Sequence, residues 1–169
     1  LCYSDADIVD LKHSTESKDN AKFISRLLDM GHLSAFEHAS FTFGIEGVSR
    51  ALLAQITRHR IASFSVKSQR YVSATKEEGE TFNYIIPPAI EALGKDAVDK
   101  FNAQMQTMQT WYTEWQEALG GKMESSNEDA RFVLPNASET KMVVTMNARE
   151  LLHFFGLRCC NRAQWEIRE

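Results

Sequence analysis

A single domain in which long helices pack with an antiparallel or mixed sheet is predicted by three observations. Apolar residues recur at helical spacing over several stretches, they alternate every second residue in one clear stretch, and the turn residues Pro135-Asn136 separate two further extended stretches. At 169 residues with 43% apolar and 25% charged content, the chain has enough apolar side chains for one core.

Each element follows from local pattern. Phe23, Ile24, Leu27 and Leu28 lie at helical spacing in residues 17–30, and Gly31 stands where a left-handed stop belongs, so a helix ending at Gly31 is predicted. A polar turn follows. In residues 39–48, Phe41, Phe43 and Ile45 alternate with Thr42, Gly44 and Glu46, the period of a strand with one buried face. Ser49 can cap a helix through Ala51, Leu52, Leu53 and Ile56 toward Arg58, which places Gln55 and Arg58 on one face. After a loop, residues 83–86 read as a short strand, stopped by Pro87-Pro88. From there Ile90, Leu93, Val98, Phe101, Met105, Met108, Trp111, Trp115 and Leu119 predict one helix of about 45 Å at 1.5 Å per residue, up to Gly120-Gly121. Its aromatic and Met stripe is read as core or subunit interface. Residues 131–134 and 140–146 are expected to be extended. Asn147 can cap a last helix through Arg158, with Leu151, Phe154, Phe155 and Arg158 on one half and Arg149 with His153 on another. Arg158 among apolar neighbours needs a buried partner, a surface position or a ligand, because an unmet guanidinium is costly.

The net charge is −4, yet no Asp or Glu occurs between Glu46 and Glu77 while Arg50, Arg58, Arg60, Lys67, Arg70 and Lys76 all fall there. Residues 58–70 alone hold Arg58, Arg60, Lys67 and Arg70, His59, and the hydroxyls of Ser63, Ser65 and Ser68. Arginine forks, hydroxyls and amides together suit phosphate oxygens and base edges. A solvated basic face, or arginines that pair with distant acids after folding, is the plain alternative. Because the global charge is negative, attraction to an anion has to be local, which favours a small ligand.

Other chemistry finds less support. No apolar run approaches a membrane span and no signal region opens the chain, so an intracellular, cytoplasmic location is expected, without membrane partners. The chain begins at Leu1, followed by Asp5, Asp7 and Asp10, and natural residues including an opening strand are expected to precede it. The three cysteines, with Cys159 and Cys160 adjacent, support neither a disulfide framework nor a zinc site, and reduced thiols are expected. Glycine-rich phosphate loops, dinucleotide fingerprints and a His-Glu-x-x-His helix are missing from the sequence. His32, Glu37 and His38 read as a local turn network and not as a metal site, and the serines of the basic segment lack a nucleophile elbow.

Arg58-His59-Arg60 followed by Ser63, Ser68 and Arg70 resembles the Arg-His-Arg-x-x-Ser-x-Asn-x-x-Ser-x-Arg signature of flavin-dependent thymidylate synthases. Upstream, Gly31-His32-Leu33-Ser34-Ala35-Phe36-Glu37-His38 resembles that family's Gly-His-x-x-x-Phe-Glu-His turn, which precedes a Phe-x-Phe strand found here as Phe41-Thr42-Phe43. Downstream, Asn147-Ala148-Arg149, Leu157-Arg158 and residues 163–167 resemble its closing helix. Ser65 stands where the signature has Asn, Val66 where members carry Glu or Gln, His153 where some carry Asn, and Arg162 where a His is usual.

The resemblance implies an α+β fold, a homotetramer with active sites shared between subunits, and conversion of dUMP to dTMP. Methylenetetrahydrofolate would supply the carbon, and NADPH would supply reducing equivalents through FAD. It implies that Gln55, Ile56, Thr57, Arg58, Val66, Lys67, Ser68, Gln69, Arg70, Arg131 and Arg158 hold dUMP. Ser34, Arg58, His59, Arg60, Val66, Asn147, Ala148, Arg149 and His153 would line the FAD site, with His32 beside the flavin and folate pocket. Arg158 would be catalytic, favouring ionisation at N3 of the uracil. The flavin would deliver hydride, so neither Cys159 nor Cys160 need attack the pyrimidine. Two other readings remain at this point. A single-stranded nucleic-acid module would stack bases on Phe64 and Tyr71 and bind with a steep salt dependence. An oligomerisation protein built on the Trp111 and Trp115 helix would have no small-ligand site.

Overall fold

The computed structural model describes residues 4–16, 18–75, 77 and 79–169. Its elements are α1 (Ile8–Glu16), α2 (Asn20–Asp29), β1 (Ser40–Ser49), α3 (Arg50–Ile56), β2 (Ala62–Val66), α4 (Pro88–Glu91), α5 (Lys95–Ala118), α6 (Glu124–Ala130), β3 (Glu139–Asn147), α7 (Ala148–Arg158) and α8 (Trp165–Arg168). Short 3₁₀ turns occupy Leu33–His38 and Arg131–Val133.

The sheet is antiparallel, in the order β1-β3-β2. Met142, Val144 and Met146 of the central strand are paired with Ile45, Phe43 and Phe41 on one side and with Val66, Phe64 and Ala62 on the other. Residues directly opposite in an antiparallel pair share a face, so these nine form the apolar face of the sheet. Leu52, Leu53 and Ile56 of α3, Leu151 and Phe154 of α7 and Ile167 of α8 close over it. Ser49 caps α3 by accepting from Leu52 N at 3.1 Å, and Glu166 of α8 accepts both the N–H and the hydroxyl of Ser49.

Several expectations are corrected. Phe41 and Phe43 do lie on the apolar face, but at the free edge of β1 beyond the reach of the helices, and they are 47% and 43% exposed. The alternation of Ala62, Phe64 and Val66 with Ser63 and Ser65 makes β2, where a loop was expected. Residues 83–86 form no strand. Tyr84 makes a single bridge to Ser138, and Pro87 and Pro88 withhold the donors a ladder would need. Residues 131–134 are not extended, because Arg131–Val133 continues α6 as a 3₁₀ turn. The first predicted helix starts at Asn20, since the Asp19 carboxylate accepts from Lys22 N at 3.2 Å, and a separate α1 precedes it. Its end is as predicted, with Gly31 at φ +71°.

The long helix is also two helices. Gly94 takes φ +96°, a left-handed region that breaks the run and leaves α5 with 24 residues, about 36 Å. Of the expected stripe of α5, Met105 faces inward, together with Gln109, Tyr112 and Gln116, whereas Trp111 and Trp115 are half exposed and so are not core, which leaves the subunit-interface expectation for them. The inward side chains are mostly polar, because α5 packs on α6 through hydrogen bonds that a periodicity in apolar residues does not register.

Candidate functional site

The chemistry gathers first on α7. Asn147 caps this helix by accepting from Glu150 N at 2.9 Å, as its sequence position predicts. Glu150, Phe154 and Arg158 then recur every fourth residue and share one side of the helix. His59, from the turn between α3 and β2, lies over that stripe. Its Nδ1 is 3.2 Å from Glu150 Oε1, its ring centroid is 4.9 Å from that of Phe154, and its Nε2 accepts from Arg158 Nε at 3.0 Å. His59 and Glu150 are only 6% and 7% exposed. The partner that Arg158 requires is therefore an imidazole, and the residue behind it is Glu150, which sequence reasoning passed over. The signal available was its place four residues before Phe154 and eight before Arg158.

Arg149 and His153 lie on the adjoining face of α7, His153 with its ring edge-on to His59 at 6.4 Å. With Asn147, Glu150, Leu33, Ile61 and Leu152 they line a cavity of about 700 Å³, and Arg149 pairs with Glu37 of the first 3₁₀ turn, which lines it too. That turn packs against α7 and carries Ser34, with His32 just before it, both exposed. Arg58 and Arg60 flank His59 in sequence and are exposed. Ala148 is half-buried at the first turn of α7. Thus Asn147, Arg149 and His153 meet in one cavity, while Val66 sits apart on β2. Val66 lines a different hollow of about 690 Å³ along with Lys67 and Lys141. Apolar walls with amide, guanidinium and imidazole groups at one end fit a ligand that joins an aromatic ring system to an anionic linkage, as FAD does.

The remaining candidates lie toward α5 and α6. A small cavity of about 160 Å³ is lined by Arg50, Lys67, Gln69, Ser73, Ser138 and Thr140. The hydroxyls of Ser138 and Thr140 are buried and have no partner within the described residues. Burial, and then the neighbouring Arg131 guanidinium, hold Arg50 below its usual pKa. Two guanidiniums close enough to repel, beside unsatisfied hydroxyls, suit an anion. Arg131 also donates from Nε to Glu128 O at 3.0 Å. Ser68 Oγ accepts from Arg70 N at 3.2 Å and shapes the turn after β2. Arg70 is held by Glu124, at 2.8 Å, and Glu128, at 2.9 Å, so for this arginine the pairing with distant acids is what folding produces. Gln55 donates to Ala51 O, Thr57 donates to Leu53 O, and Ile56 is in the core, so these three side chains are committed within α3.

None of the three cavities described above is lined by Arg58, Arg70, Arg131 or Arg158. Cys159 is exposed and Cys160 half-buried, both as free thiols; Cys2 and Lys76 lie outside the described residues. Among the described residues, no cluster of His, Cys, Asp or Glu could hold a metal, and no helix is long and apolar enough to cross a membrane.

Comparison with known proteins places this arrangement. The model of the family described as "Thymidylate synthase complementing protein" matches residues 1–169. The flavin-dependent thymidylate synthase of Geobacter sulfurreducens is 50% identical over 99% of this chain and 68% of its own length. The Nitratidesulfovibrio vulgaris enzyme of the same name is 50% identical over 94% of the chain and 63% of its length, and that of Clostridium tetani 46% over 99% and 70%. The chain thus spans about two thirds of the length of these relatives. A crystal structure of thymidylate synthase X from Helicobacter pylori with FAD and dUMP superposes with a TM-score of 0.69 at 27% identity. It covers 95% of this chain and 80% of that one. The α+β fold, the capped α7 with its arginine and the full-length family match lead to one conclusion: this chain belongs to the family of flavin-dependent thymidylate synthases.

Proposed function

We propose a division of labour, for the family's FAD-dependent methylation of dUMP to dTMP, between the two ends of the basic segment. The α7 side holds the cofactor and orients Arg158 toward the pyrimidine; the turn at Ser68 and the guanidiniums beside it hold the nucleotide phosphate. The observation that carries this reading is Arg158 itself. It is anchored through Nε to His59, and its two terminal nitrogens have no acceptor among the described residues. A fixed cation with free donors stabilises negative charge that develops on a bound ring, and here it would favour ionisation at N3.

Asn147, Arg149 and His153 would hold FAD from the 700 Å³ cavity, with Ser34, His32, Arg58, His59 and Arg60 at its approaches. When bound there, FAD reduced by NADPH would supply the hydride, with methylenetetrahydrofolate as the carbon donor. Ser68, Gln69, Arg70 and Arg131 would take the phosphate and sugar, with backbone N–H groups of Val66 and Lys67 available whatever the side chain. Gln55, Ile56 and Thr57, whose side chains are engaged within α3, would contribute through the backbone at its C-terminal end. Arg70 would exchange a carboxylate for phosphate on binding.

Because none of the cavities described above is lined by any of the four arginines, the reading includes a homotetramer in which neighbouring copies complete each site. The exposed Phe41, Phe43, Trp111 and Trp115 offer the apolar surface that such contacts bury. The chain would act as one domain of an intracellular enzyme. The test is the absorption spectrum of the full-length protein mixed with FAD, followed by anaerobic NADPH oxidation with dUMP present. Flavin binding and nucleotide-dependent thymidylate formation are expected, and failure to bind flavin would contradict the reading.

A further inference from the structure

We infer that Glu150 and His59 are positioning residues that act on the reaction through Arg158, by fixing which imidazole nitrogen is left to receive the guanidinium. This rests on the proposed role of Arg158.

The direction of every bond in the chain is determined. An arginine offers only donors, so Arg158 Nε at 3.0 Å from His59 Nε2 donates, and Nε2 must carry a lone pair. That leaves the ring's single proton on Nδ1, which faces Glu150 Oε1 at 3.2 Å, the acceptor this tautomer needs. Arg158 donates to His59, and His59 donates to Glu150. The opposite tautomer would set an N–H against a guanidinium N–H and abolish the contact.

Geometry makes the arrangement stiff. Glu150 stands in the first turn of α7, its backbone N–H held by Asn147 Oδ1, and Arg158 stands at the last residue. Their stripe-mate Phe154 supports the ring at 4.9 Å, and His153 meets it edge-on at 6.4 Å. With His59 and Glu150 both more than nine-tenths buried, water does not compete for these bonds. A side chain with many rotamers is thereby held at its Nε, and its terminal nitrogens point where the rest of the helix end directs them.

The experiment compares variants of the full-length, FAD-loaded protein. Glu150→Ala is expected to lower kcat by about 100-fold, the usual scale for misplacing a catalytic group by an ångström, and, although Glu150 also borders the cofactor cavity, to change FAD affinity far less than kcat. Glu150→Gln keeps an acceptor oxygen and should recover most of the loss, as should His59→Gln relative to His59→Ala. In the Arg158→Ala background, Glu150→Ala should cost nothing further, since both act as a unit. Independently of any variant, ¹⁵N NMR of the native protein should show His59 protonated at Nδ1 and bare at Nε2. An Nε2-protonated ring, an unchanged kcat in Glu150→Ala, or weakened FAD binding as the main effect would overturn the inference. Normal turnover by Arg158→Ala would instead overturn the role of Arg158, and the NMR signature would still report whether the local geometry is right.

Discussion

Two buried polar clusters flank the sheet, and they differ in kind. On α7, Glu150, His59 and Arg158 are all ionisable, and they hold one cation at a helix end. Between α5 and α6 the cluster is neutral. Tyr112 donates to Asn127 Oδ1 at 3.2 Å and accepts from Ala74 N at 3.2 Å. Gln116 donates to Ser73 Oγ at 2.9 Å, and Asn127 donates to Arg70 O at 2.8 Å. Tyr112 and Gln116 are at most 1% exposed. Three of these four bonds grip residues 70–75, the continuation of the turn assigned to the nucleotide, and the fourth ties α5 to α6. On the proposed reading the charged cluster aims a reactive group, whereas the neutral one builds the loop that would hold the substrate. Neutral amides and hydroxyls can be fully satisfied with little desolvation cost, so they suit scaffolding; a buried charge is retained where its field is used.

That contrast can be broken in order of expected size. Arg158→Ala should reduce turnover by about 10²–10³-fold, the usual loss for one preorganised donor, with the circular dichroism spectrum unchanged and only the small stability loss of an unpartnered His59 Nε2. Unaltered thymidylate formation would erase the functional half of the comparison. Asn127→Ala should do the reverse, because it strands the Arg70 carbonyl and the Tyr112 hydroxyl. A stability loss of about 1–3 kcal/mol in urea unfolding is expected, with weakened dUMP binding and much smaller change in the rate of bound substrate. A kcat defect without destabilisation would show that the neutral cluster is also catalytic.

Arg149→Ala separates the cofactor cavity from both clusters: FAD affinity should fall by about tenfold, or about 1.4 kcal/mol, without loss of stability. Equal FAD binding, measured by fluorescence titration, would remove Arg149 from that cavity. Ser68→Ala should weaken dUMP by roughly fivefold, the scale of one neutral hydrogen bond, and unchanged affinity would show that its hydroxyl serves only the turn. Lys95→Ala lies in neither region. Its ion pair with Asp99 is exposed, so a change beyond about 0.5 kcal/mol would be unexpected.

The parts of this design that were legible in the sequence are those written in local pattern. Asn147 before a helix, Ser49 before α3, Gly31 after α2 and the alternation along β1 and β3 all declare themselves within a few residues. The segment 58–70 stood out as a basic run by charge alone, and motif order named the family. What stayed hidden depends on distant residues. Tyr112, Gln109 and Gln116 are buried because Asn127, Ser73 and the Phe82 N–H meet them, so apolar periodicity pointed to the neighbouring Trp111 and Trp115 face instead. Gly94 inside an otherwise helical run gave a break that the apolar spacing on either side concealed. Arg70 found Glu124 and Glu128 more than fifty residues away, and Glu150 gained its meaning only when the turn after α3 laid His59 over α7.

The most direct test of the proposed site is a crystal structure of the full-length protein with FAD and dUMP bound. Arg58, Arg70, Arg131 and Arg158, drawn from neighbouring copies, should surround one nucleotide lying against the flavin, with Arg158 still bonded to His59. The same four arginines on separate outer surfaces, with the nucleotide bound elsewhere, would contradict it.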